Sequence, residues 1–97
     1  FAADELYKLV GRLGLAEAHL SAGRYEDAIA ILETQTSSVR STVPVDAVLM
    51  RLGHVYREVN RSDDARAAFT RVTEEFPASV YATDAQTQAD DLRQAGE

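Results

Sequence analysis

Apolar residues along this chain recur in steps of three and four and nowhere alternate with period two over the length of a strand, so the pattern predicts helices throughout. Gly23, Pro44, Asn60 and Pro77 cut the chain into five segments. The first carries Leu6, Leu9, Val10, Leu13, Ala16 and Leu20 on one face, and the second carries Tyr25, Ala28, Ile29 and Leu32. The third is the richest, with Val45, Val48, Leu49, Leu52, Val55, Tyr56 and Val59. Ala65, Ala68, Phe69, Val72 and Phe76 mark the fourth, while the fifth is thinner, with Tyr81, Ala85 and Leu92 among polar residues.

The residues at the segment ends agree with these divisions. Gly23 and Asn60 are of the types that adopt the left-handed conformation closing a helix. Ser62, followed by Asp63 and Asp64, offers a cap and two negative charges to the positive end of the fourth helix. Ser41 and Thr42 lead into Pro44, a residue favoured in a first helical turn, with Asp46 just behind it. Pro77 is expected to end the fourth helix and Ser79 to cap the fifth. Turns of two or three residues force helices one and two, and helices three and four, into antiparallel hairpins.

Residues 15–32, "LAEAHLSAGRYEDAIAIL", and 52–69, "LGHVYREVNRSDDARAAF", match in kind at a constant offset of 37. Leu15 falls on Leu52, Ala16 on Gly53, His19 on Tyr56, Gly23 on Asn60, Ala28 on Ala65 and Leu32 on Phe69, so the hairpin occurs twice. The repeat gives Gly53 a reason. A mid-helix glycine costs about 1 kcal/mol relative to alanine, and it is tolerable if a residue with little side chain is needed where the first helix crosses the second, near Ala65.

The second unit, with Leu49, Leu52, Gly53, Tyr56, Ala65, Phe69, Val72 and Pro77 at linked spacings, resembles the tetratricopeptide repeat, a two-helix unit with a usual period of about 34 residues. The first unit shares Leu15, Ala16, Gly23, Tyr25, Ala28 and Leu32, but Arg40 stands where the family has its terminal proline, and "TSSVRSTVP" is three residues longer than usual. The resemblance implies an all-α fold, antiparallel helix hairpins stacked as a short right-handed α-solenoid. Unit one would span about 4–38, unit two about 44–76 and a capping helix about 79–94, in a single domain over 1–97. A shorter stretch, "EEFPASVYATDA" (74–85), is similar to a junction found in tetratricopeptide proteins of the bacterial envelope, of the Sec-translocon-associated and cell-division-coordinator types. It implies a periplasmic or envelope-associated location in preference to a cytoplasmic one.

Composition narrows function by exclusion. Ten basic residues scattered among sixteen acidic ones, for a net charge of −6, argue against nucleic acid as a partner, which needs clustered Lys and Arg. The absence of cysteine removes disulfide frameworks and thiolate zinc sites. No apolar run approaches the roughly 18 residues of a membrane span, so this segment is not expected to insert in a bilayer. The start at Phe1 in place of Met leads us to expect a piece of something longer.

Candidate chemistry is sparse. His19 and His54 are the only histidines, and neither has a second His or a Cys at ligand spacing, so no metal is expected; His19 is read as packing between helices. "NRSDDA" (60–65) lacks the ligand ladder, glycine turn and closing glutamate of a calcium loop. No phosphate-cradling loop or activated nucleophile is discernible, and the chain is read as a non-enzyme without cofactors.

What remains is the concave face, which the family resemblance assigns to the first helix of each hairpin. Counting from the packed positions puts Leu13, Glu17, Leu20, Met50, Arg51, His54 and Arg57 there. Leu13, Leu20 and Met50 are read as apolar contacts for a peptide, and Arg51 and Arg57 as partners for acidic groups. Equally, Leu13 and Leu20 could be covered by a helix preceding Phe1. The Lys and Asn pair with which some members of the family clamp a terminal carboxylate is missing, replaced by Leu13 and Glu17 in one unit and Met50 and His54 in the other. The expected function is a protein-interaction module, a scaffold or adaptor in a bacterial envelope complex. The alternatives are homo-oligomerisation, because two repeats leave apolar ends, and a spacer within a longer array.

Overall fold

The computed structural model describes residues 14–37 and 44–95. Leu6, Leu9, Val10, Leu13, Arg40, Ser41 and Thr42 lie outside the described residues. Helix α1 is described over 14–21, and it is followed by α2 (Tyr25–Ser37), α3 (Val45–Glu58), α4 (Ser62–Glu75) and α5 (Ala82–Ala95). No strand occurs among the described residues, and the fold is an all-α helical repeat. The chain divides into two compact units, Phe1–Val43 and Pro44–Glu97, so that α5 joins the second hairpin.

Both hairpins turn through the same backbone device, placed at the offset seen in the sequence. In the first unit the Gly23 N–H donates to Leu20 O at 3.1 Å and the Arg24 N–H to His19 O at 2.8 Å. In the second the Asn60 N–H donates to Arg57 O at 3.1 Å and the Arg61 N–H to Tyr56 O at 2.8 Å. These paired bonds form a Schellman closure, satisfying carbonyls that the helix end would otherwise leave bare, and they require a left-handed residue at the turn. Gly23 (φ 79°) and Asn60 (φ 61°) supply it. Asn60→Val should cost about 1–2 kcal/mol, the penalty of a left-handed residue with a bulky side chain, whereas Asn60→Gly should leave urea stability equal or higher.

The side chains on either side of that turn repeat the pattern in different chemistry. Arg24 Nε donates to His19 Nδ1 at 2.9 Å, and the Arg61 guanidinium lies 4.7 Å from the centre of the Tyr56 ring. His19 is half-buried and bonded to the turn arginine within its own hairpin, which replaces the expected packing role with a polar one. Ser62 also departs from expectation: it is the first residue of α4, and the cap position falls to Arg61, with no side-chain cap bond. The reason is the brevity of the turn. Arg61 must deliver its N–H back to α3, so α4 starts at once, and the acidic pair acts through the helix dipole and through Asp64, 2.8 Å from Arg61 Nε.

In the second unit α4 packs against both α3 and α5. Val48, Leu49, Leu52, Val55 and Tyr56 of α3, Ala65, Ala68, Phe69 and Val72 of α4, and Ala85, Ala89 and Leu92 of α5 are buried. Ala65 and Ala85 are wholly inaccessible, as befits small residues at close helix approaches. Tyr81 does not join the α5 face; it precedes the helix and is 38% exposed.

Gly53 does face the neighbouring helix, but the group it makes room for is the Phe69 ring, not the backbone near Ala65. A Cβ placed on Gly53 would stand 2.6, 2.7 and 2.9 Å from Phe69 Cζ, Cε1 and Cε2. The glycine is a slot for the tip of a fully buried phenyl ring. At the equivalent positions of the first unit stand Ala16 and Leu32, both buried: a shorter residue on one helix and a methyl on the other.

Ser79 serves the fold differently from the expected helix cap. Its hydroxyl donates to Asp46 Oδ2 at 2.7 Å and accepts the Tyr81 N–H at 3.0 Å, while Asp46 Oδ1 accepts the Ala47 N–H at 2.9 Å. The segment between α4 and α5 is thereby tied to the first turn of α3. On α4, Arg71 Nε and Glu75 Oε2 are 2.8 Å apart, and this hydrogen bond holds the Glu75 carboxyl below its ordinary value. The exposed pair is worth about 0.3–0.5 kcal/mol. Because the folded value is the lower one, that contribution is present above the ordinary glutamate range and fades as pH falls through it. Urea titrations of Glu75→Gln should show this small acid-side loss removed.

Candidate functional site

Helix α3 is buried on most of its circumference, which leaves a narrow exposed line of Arg51, His54 and Arg57, ending at Glu58. The six-residue rise from Arg51 to Arg57 spans about 9 Å. Two of these side chains are held in place from other helices. The His54 ring meets Phe69 of α4 edge to face, with centroids 5.2 Å apart and planes at 74°. Arg57 Nη1 donates to Gln88 Oε1 of α5.

Arg57 is held differently from several other arginines of the unit. Arg61, Arg66 and Arg71 each lie within 4 Å of a carboxylate three or four residues away, on Asp64, Asp63 and Glu75, and Arg93 pairs with Asp90. Arg57 is held by a neutral amide, which fixes the guanidinium without offsetting its charge.

Of the residues expected on the concave face, the structure thus gathers Arg51, His54 and Arg57 on one line. Met50 is not part of it. Only 6% exposed, it belongs with the buried residues of α3, and it offers no apolar contact to a guest. In the first unit Glu17 is exposed and Leu20 half-buried, and Leu13 lies outside the described residues. Gln88 and the His54–Phe69 contact went unforeseen. The run Val48, Leu49, Met50 makes the apolar arc of α3 wide, but it does not say whether the edge that Met50 occupies is covered. Nothing comparable in the sequence marks Gln88.

Among the described residues no three His, Cys, Asp or Glu side chains are grouped to hold a metal ion. No helix among them is long and apolar enough to cross a membrane.

No curated protein and no solved structure matches the chain. Two family models do match, each described as a tetratricopeptide repeat, one over residues 12–41 and the other over 47–79. The matches fall on the two hairpins, which share one turn geometry at one offset, and together they take in well over half of the sequence: the chain belongs to the tetratricopeptide repeat family.

Proposed function

We propose that the chain is a scaffold or adaptor that holds a peptide or a segment of a partner protein, with the exposed side of α3 as its contact surface in the second unit. Tetratricopeptide repeats generally mediate protein–protein interaction, and that much carries over from the family. The observation that supports the finer reading is the exposed line on α3: around a helix otherwise buried, Arg51, His54 and Arg57 stay accessible, and two of them are braced from neighbouring helices. Bracing lowers the entropy lost when a side chain is engaged by a partner.

The test replaces all three by alanine and compares quantitative partner recovery with the parent chain, after circular dichroism has shown equal helicity and melting. Loss of recovery is the expected result. Undiminished recovery would favour the spacer reading.

Self-association has two exposed apolar side chains in its favour. Leu15 is 51% exposed although its repeat counterpart Leu52 is 4% exposed, and Val80 is 90% exposed. Concentration-dependent light scattering separates the two readings: growth in mass that Leu15→Ser abolishes favours the oligomer. The "FPASVYA" stretch supports a place in a bacterial envelope assembly, and fractionation of cells expressing the native gene tests it.

A further inference from the structure

We infer that α5 is a detachable strap: it is fastened to the α3–α4 hairpin by two polar ties, Ser79 to Asp46 and Arg57 to Gln88, and it lifts off in an opening that leaves the hairpin folded. The inference stands apart from the interaction-module reading, since it concerns which part of the second unit opens first.

Apolar burial is unevenly shared among the three helices. Helix α3 buries Val48, Leu49, Met50, Leu52, Val55 and Tyr56, and α4 sets the wholly buried Phe69 ring into the slot at Gly53. Over its 14 residues α5 buries Ala85, Ala89 and Leu92, so two of its three buried side chains are single methyl groups. Apolar stabilisation scales with the area removed from water, and α5 is therefore held less firmly than α3 and α4 hold each other. Its sequence adds little. Thr83, Asp84, Thr87, Asp90 and Asp91 are weak helix formers, and a helix of this length detached from its support is marginal in water.

The polar ties then carry a larger part of the attachment. Ser79 Oγ donates to Asp46 Oδ2 at 2.7 Å just ahead of α5, and Arg57 Nη1 donates to Gln88 Oε1 midway along it. Both bonds reach back to α3, although α5 packs mainly on α4. Asp84 and Asp91, four residues before and three after Gln88, share its side of α5; their charge favours the same seat beside Arg57, weakly because both are exposed. Lifting α5 bares the side of α4 that it covers and frees Arg57 from Gln88 in one step, so the orientation of Arg57 depends on whether the strap is seated.

Native-state hydrogen exchange of the 97-residue chain, followed amide by amide, tests the strap. The expected result is protection in α5 at least about tenfold lower than at Leu52 and Phe69, with a shallower dependence on urea, as a partial opening requires. Ser79→Ala and Gln88→Ala should each speed α5 exchange about three- to tenfold, the effect of one lost hydrogen bond. Gly53→Ala disturbs packing that the closed and strap-open forms share, so it should change exchange at the most protected α3 and α4 amides and leave α5 at its parent rates. Equal protection and one urea dependence across all three helices, or α5 rates that move with those of α3 and α4 in Gly53→Ala, would show that the unit opens as a whole and would overturn the strap. Exchange in α5 unmoved by either Ser79→Ala or Gln88→Ala would overturn the assignment of the two ties as its fastenings.

Discussion

Phe69→Ala should cost the second unit about 3–5 kcal/mol, read as a lower urea midpoint, because the ring is wholly buried and its loss leaves a cavity that the surroundings can only partly fill. The packing around the ring makes the upper part of that range the expectation. Gly53 contributes no side chain that could lean into the space, and His54, which touches the ring edge to face, would lose its partner. A drop of this size is a large part of the stability of a small domain, so the variant should also melt well below the parent. It should disturb the exposed line as well, since His54 takes its orientation from Phe69.

The complementary change acts by crowding. Gly53→Ala should destabilise by about 1–3 kcal/mol, although alanine is better than glycine in a helix by about 1 kcal/mol. A surface helix would gain from the substitution. Here the added methyl would come within 2.6–2.9 Å of three ring atoms, and a fully buried ring has no free space into which to retreat. The measurement is equilibrium urea unfolding followed at the helical circular-dichroism band. A more stable variant would show that the ring slides aside cheaply.

Much of the fold was legible in the sequence because the signals that set it are local. Spacing of apolar residues gave the helices, and Gly23 and Asn60 gave both left-handed closures. The offset of 37 reappears atom for atom in the paired backbone bonds at His19 and Tyr56. Errors arose where a side chain had more than one geometric choice. Ser62 and Ser79 are good capping types, yet one turn was too short to leave Ser62 at the cap, and Ser79 found a carboxylate on α3 in preference to its own helix. The repeat marks Gly53 as a close approach, but that its neighbour is the tip of the Phe69 ring is a matter of side-chain reach, which spacing does not report.

The site was less legible. Arg51, His54 and Arg57 are exposed on α3, where counting from the packed positions puts them, and such a count fixes a face well enough when the neighbouring positions are apolar. Met50 sits at the edge of the apolar arc, where burial depends on what covers the second side of the helix, and periodicity does not report that. The brace from Gln88 joins residues 31 apart in sequence, on helices that both contact α4, and no local rule brings them together.

Reciprocal packing at the hairpin crossing is best tested by a double-mutant cycle between Gly53→Ala and Phe69→Leu, the exchange that installs the first unit's pair in the second. If the glycine exists to admit the ring, alanine should cost much less, or even stabilise, once leucine replaces phenylalanine, giving a favourable coupling of about 1–2 kcal/mol. Costs that simply add would contradict the account, since Gly53 would then be answering to something other than Phe69.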